Sequence, residues 1–222
     1  ACNDDAIAQL KQIETDKLLS NAPTFTQAWI EGTISIKFSS PQASENQCVA
    51  SFEIKLPQVD LDEATQHLDQ NPAKRILIGA QGYGVPDKTT IETPYYYQMT
   101  DNKVVPIDLK NTELKSLHNN LEYTYQLLAQ LRANVDEKSI NQTPWNSQEI
   151  DAAIQNCRNQ ASSKSQDSNF CPCRVEQLAK NINAKQMELI NYIQTQPFSV
   201  ATGSLNGFQK LSEKINHECS TK

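Results

Sequence analysis

No run of about eighteen apolar residues occurs in this 222-residue chain, so no segment reads as a membrane-spanning helix. No stripe of basic residues occurs either. The 20 Lys and Arg are scattered and outnumbered by 26 Asp and Glu, for a formal net charge of -6. Without clustered cations there is little to neutralise phosphates, which argues against a nucleic-acid partner. Catalytic signatures are missing too: there is no HExxH, no GxSxG and no DxDxDG calcium loop. The three histidines, His67, His118 and His217, neighbour no recognisable nucleophile and read as helix-surface or cap residues. The stretch "GAQGYG" follows a short apolar run, but Pro86 and "DKTT" come next instead of a helix, so its glycines mark a turn. Acidic pairs such as "VDLDE" read as a cap and a solvated face. The expectation is a protein that is not an enzyme and carries no metal and no cofactor.

What the chain does contain is an ordinary globular composition, 38% hydrophobic and 21% charged, with many Asn and Gln. It also has six cysteines: Cys2, Cys48, Cys157, Cys171, Cys173 and Cys219. An even count points to disulfides and an oxidising compartment. The opening "ACNDD" has no initiator Met and reads as a processed terminus. Either a signal peptidase leaves Ala1, or Cys2 is the acylated first residue of a lipoprotein and Ala1 is left over from expression. Both place the protein in the periplasm or outside the cell, with a possible lipid anchor at Cys2. The "NQTP" sequon at Asn141 is weakened by its proline and is given no weight.

Hydrophobic periodicity divides the chain. Asp4 and Asp5 cap a helix through "AIAQLKQIETDKLL", which "NAP" at 21–23 ends. Alternation follows, with Ala28, Ile30, Ile34, Ile36 and Phe38, then Cys48, Ala50, Phe52, Ile54 and Leu56. Period two on both sides of the polar "SSPQASEN" predicts a hairpin with one buried face. "VDLDEATQHLDQNP" reads as a short helix with an Asp60/Glu63 capping box, and "RILIGA" as a short buried strand. "TIETPYYYQMT" and "KVVPIDL" flank "DN" and predict a second hairpin, whose strands lie at an edge or contain irregularities because of Pro94 and Pro106. From Asn111 the period becomes helical. It predicts a long helix over 111–135, another over 143–160, a polar loop at 161–169, a long helix over 172–196 and a short final helix holding Phe208, Leu211 and Ile215. The fold class is therefore α+β. A small antiparallel sheet with flanking helices occupies 1–110, and a helical bundle or set of hairpins occupies 111–222, packed as one continuous body and stapled by disulfides.

"CPC" at 171–173 sits where a helix begins. In an antiparallel helix pair the end of one helix lies beside the start of the next, so Cys157 comes near this pair, and Cys219 returns to the same place. We expect Cys157 and Cys219 each to bond one member of the Cys171/Cys173 pair, in either order, and Cys2 to bond Cys48. A strained redox pair, or a zinc site from Cys171, Cys173, His217 and Cys219, are the rivals.

The triplet Tyr95, Tyr96, Tyr97 is the candidate binding surface, because tyrosine offers a large rigid area and a hydroxyl. High strand propensity is the plainer explanation. The expected function is an exported, periplasmic-type accessory or protein-binding protein. Its partner would be another envelope or secreted protein, for instance within an envelope-spanning assembly such as a secretion system. A binding protein for a small ligand or cell-wall fragment, or a hydrolase with a site invisible in sequence, are the alternatives.

Overall fold

The computed structural model describes residues 1–21, 32–160, 169–195 and 205–220. The strand positions predicted at Ala28 and Ile30 and most of the loop at 161–169 lie outside them. In chain order the elements are α1 (Ile7–Asn21), β1 (Ser35–Ser44), β2 (Gln47–Lys55), α2 (Gln58–Asp69), α3 (Pro72–Ala80), β3 (Thr90–Thr100), β4 (Lys103–Pro106), α4 (Thr112–Ala133), α5 (Ser147–Asn159), α6 (Phe170–Asn181), α7 (Ala184–Thr195) and α8 (Asn206–Ser220). The four strands form one antiparallel sheet in the order β1-β2-β3-β4. The fold is α+β and disulfide-stapled, with the described strands all in the first half. The chain divides into two compact units, Ala1–Leu128 and Ala129–Lys222, with the division inside α4.

In the first unit the strand alternation works as the period predicts. Ile36, Phe38, Cys48, Ala50, Phe52, Ile54, Tyr95, Tyr97 and Val104 are all buried on one face of the sheet. Phe38 packs against Phe52 and edge-on against Tyr95. Buried residues of α1, α2 and α4, among them Leu10, Leu61, Leu68, Leu121 and Tyr125, complete the interior. The "SSPQASEN" stretch is not a long loop. The strands continue to Ser44 and turn on two residues, Glu45 and Asn46, with φ of 46° and 65°. This is the twist-matched hairpin geometry in which Asn tolerates the left-handed region. The extra length is taken up by a register shift between Ser39 and Gln42, where Ser40 adopts φ 52° just before Pro41. Asp101 and Asn102 make the second tight turn in the same way.

Four local expectations are corrected. "RILIGA" is not a buried strand but most of α3, with Pro72 at the start and only Ile78 buried. A short apolar run does not distinguish strand from helix, and here proline's fixed φ favours the helix start. Asp60 does not cap α2. That helix begins at Gln58, after Pro57, and Asp60 lies inside its first turn with its carboxylate buried. The predicted 172–196 helix is two helices, because Ile182 is extended (φ -129°, ψ 133°). Asn183 and Gln186 then restart the chain by exchanging side-chain-to-backbone hydrogen bonds. The final helix is longer than expected, at 15 residues.

In the second unit α5 packs on α6, and α6 on α8. One core holds Phe170, Leu178, Ile182, Ile190, Phe208, Leu211 and Ile215. The segment before α5 is pinned to the end of α6. Asn141 Nδ2 donates to Ala179 O, Asn181 Nδ2 to Ser139 O, and the Trp145 indole to Ile182 O at 2.8 Å. The sequon asparagine is thus a structural link. Early in α8, Gly207 has no room for a side chain: a Cβ there would stand 2.5 Å from the Val135 carbonyl oxygen. Gly207→Ala should therefore destabilise this unit by about 1–3 kcal/mol, since the obstacle is backbone. Equal urea midpoints for wild type and variant would contradict that contact.

The cysteines form three bridges: Cys2–Cys48, Cys157–Cys171 and Cys173–Cys219. Among the described residues no cysteine is free, and no group of three His, Cys, Asp or Glu is placed to hold a metal ion. The bridge at Cys2 occupies the sulfur that a thioether-linked lipid would need, so the lipid anchor at Cys2 is set aside. Three intramolecular bridges are compatible with a periplasmic or extracellular location. No described helix is long and apolar enough to cross a membrane.

Candidate functional site

The tyrosine triplet is split by the pleat. Tyr95 and Tyr97 are 1% and 0% exposed and belong to the core, so they are withdrawn as binding-surface residues. Successive side chains of a strand point to opposite faces, and the inner face here is apolar. Tyr96 alone is half-exposed, on the outer face. There it lies directly opposite Val49 of β2. On β4, Val105 faces Gln98 and so lies diagonal to Tyr96; it is 47% exposed. Val49, Tyr96 and Val105 thus form an apolar row across three adjacent strands, on a face where Lys37, Glu92 and Gln98 are also found.

Next to this row is a depression of about 360 Å³, bounded by Ser40, Gln42, Val49, Ser51, Glu92 and Pro94. It sits where β1 changes register, because a strand that takes up extra residues bends away from its neighbour. The period-two pattern of β1 fails from Ser39 onward, and that failure was the only trace of this feature in the sequence.

Side-chain amides finish the sheet's edge. β4 ends at Pro106, so beyond Ile107 no described strand lies beside β3. The Asn111 side chain takes that place: its Oδ1 accepts from Tyr96 N at 2.7 Å and its Nδ2 donates to Tyr96 O at 2.9 Å. Asn111 is 5% exposed, so this clamp is fixed. On the outer edge of β4, Gln9 of α1 accepts from Val104 N and donates to Asn102 O. Two residues before Tyr96, Pro94 turns its ring nitrogen to the same edge and offers no donor to an incoming strand. The face is thus available to side-chain contact while strand addition is hindered.

In the first unit, burial raises the pKa values of three phenols. For Tyr95 burial is the main cause, with the carboxylates of Glu14 and Asp108 adding to it; for Tyr97 and Tyr123 burial is the cause. The hydroxyls of Tyr97 and Tyr123 have no hydrogen-bond partner among the described residues. Because these folded-state pKa values lie above the unfolded value of about 10, the associated stability is complete below that pH and is lost as pH rises beyond it. A tyrosinate absorbance titration should show these phenols resisting ionisation until the fold opens, with melting temperature falling above about pH 10. Ionisation of all 7 tyrosines in one step near pH 10, with circular dichroism unchanged, would contradict this.

Of the three histidines, His118 is the one the sequence misjudged. Its ring is hydrogen-bonded to the carboxylate of Glu14, which is 1% exposed, so the pair is an internal tie between α4 and α1. His67 contacts Lys74 Nζ at 3.2 Å, and its pKa is lowered by partial burial and then by that ammonium. His217 is exposed on α8. A second buried polar pair joins α4 to α2, where the Tyr125 hydroxyl donates to Asp60 Oδ2 at 2.8 Å. Comparison with known protein families, with characterised proteins and with solved structures finds no match.

Proposed function

We propose that this chain is an exported protein of an oxidising compartment that acts by contact, holding another envelope or secreted protein on the outer face of its sheet around Tyr96. The observation that carries this reading is the Val49–Tyr96–Val105 row. Three apolar side chains are left accessible on a face whose reverse side is core, on strands braced by the Cys2–Cys48 bridge and the Asn111 clamp. Tyrosine, with Trp and Arg, is among the residue types enriched where binding energy concentrates. An accessory role in an envelope-spanning assembly, such as a secretion system, fits this reading. Holding a partner needs no chemistry from the chain, and we propose no catalytic step.

A photo-crosslinking side chain at position 96, in cells that export the protein, should capture one recurring partner, and the same group at exposed Lys88 should not. Tyr96→Ala should weaken binding of that partner roughly 30-fold, the effect of a hot spot worth about 2 kcal/mol. Crosslinking that is indiscriminate, or equal at both positions, would remove this reading. The depression beside the row supports a second reading, a small ligand or cell-wall fragment held by Glu92 and the neighbouring hydroxyls. Saturable binding of a muropeptide by the isolated protein, lost in Glu92→Gln, would favour it.

A further inference from the structure

We infer that the groove between α5 and α7 in the second unit is a docking site for a basic amphipathic helix of a partner protein. This goes beyond the sheet-face reading and does not depend on it. The groove encloses about 560 Å³. Apart from Glu149, the less exposed part of its lining is apolar and mostly small: Ala153, Ala184 and Met187, with Trp145. Small side chains let a helix approach closely, and methionine adapts to what it meets. From Glu149 to Asn159 the α5 wall rises through ten steps of about 1.5 Å, about 15 Å in all, or nearly three turns of a docked helix.

Charge selects the occupant. Among the described residues the only charged side chains on the lining are Glu149 and Glu188, one on each wall, and no Lys or Arg lines it. An apolar strip flanked on both sides by carboxylates complements a helix whose apolar face is flanked by Lys or Arg, and it disfavours an acidic helix. Asn156, Asn159 and Asn191 lie on the exposed rim, where their amides can bond the unpaired backbone groups at a helix end. Both walls are held in place before anything binds. α5 starts in an Asn146/Glu149 capping box and is bridged near its end by Cys157–Cys171. α7 starts in the Asn183/Gln186 exchange. No residue of α5 is fully buried, so one side of this helix is committed to α6 and the groove side remains available.

The test uses the oxidised full chain with Trp29→Phe, which leaves Trp145 as the only reporter of the two tryptophans. The probe is an 18-residue peptide with Leu at helical a/d/e spacing and Lys elsewhere. Its controls are a scrambled peptide of identical composition, a peptide with Glu in place of every Lys, and cellotetraose. The basic amphipathic peptide should change Trp145 emission saturably at one equivalent, and the scrambled and acidic peptides should bind at least tenfold more weakly. Ala152→Phe, at an exposed position, should obstruct the groove, and Glu188→Lys should reverse one wall; each should cost at least tenfold with circular dichroism unchanged. Tyr96→Ala should leave peptide binding as it was, so failure here and failure at the sheet face are separable. Equal binding of the scrambled peptide, unaffected binding in Ala152→Phe, or a saturable response to cellotetraose instead of the peptide would each overturn the inference.

Discussion

In strong reductant the second unit should lose its cooperative unfolding transition. Cys157–Cys171 closes a separation of 14 residues and Cys173–Cys219 one of 46. Loop-closure entropy assigns about 3 and about 4 kcal/mol to closures of these lengths. Together they rival the whole stability of a typical domain, about 5–15 kcal/mol. The effect should be largest at α5, which has no fully buried residue of its own and relies on the bridge to stay on α6. Replacing Cys157 and Cys171 by Ala should lower the melting temperature of this unit by roughly 12–24 °C, and replacing Cys173 and Cys219 by more. Thermal scans of oxidised and reduced protein, followed by circular dichroism, measure this directly. An unchanged melting temperature after complete reduction would mean that the helical core holds without its bridges. Denatured, unreduced protein should present no reactive thiol at Cys2, and a lipid thioether there would be visible by mass.

The second large effect is expected inside the first unit, at Glu14 and His118. Removing one member of a buried, hydrogen-bonded polar pair strands the other, at a typical cost of about 3–5 kcal/mol. Glu14 is almost completely enclosed, so His118→Ala leaves its carboxylate without that partner. Urea unfolding should report a loss of about 3 kcal/mol or more for the single variant. The double variant Glu14→Leu/His118→Leu should recover most of it, because an apolar pair of similar volume needs no desolvation. A double variant as unstable as the sum of the singles would mean that the two side chains act independently, and the tie between α1 and α4 would then have to come from packing alone.

Legibility in the sequence followed the range of the physics involved. Strand faces were legible because alternation is local: Ile36, Phe38, Cys48, Phe52 and Ile54 are buried where period two puts them. The partition of cysteines was legible because helix hairpins return chain ends to one place, although only the structure pairs Cys171 with Cys157 and Cys173 with Cys219. The break at Ile182 was hidden because apolar residues continue in helical register across it. It is made by the Asn183/Gln186 exchange, reinforced by a hydrogen bond from Trp145, 37 residues away. In the sequence His118 looks like a surface residue because its partner lies 104 residues earlier. The many Asn and Gln, unassigned by composition, turn out in several places to finish backbone that has no strand or helix partner, as Asn111, Gln9 and Asn141 do.

By itself, the sequence determined the class of the fold, the inner face of the sheet and an oxidised set of cysteines, since each rests on periodicity or on residue count. The tertiary structure decided which tyrosine of the triplet is accessible, where the sheet bends, which cysteine meets which, and that a groove with acidic walls lies between α5 and α7. Those features depend on groups far apart in the chain arriving at one point, and no local pattern encodes where a distant residue will come to rest.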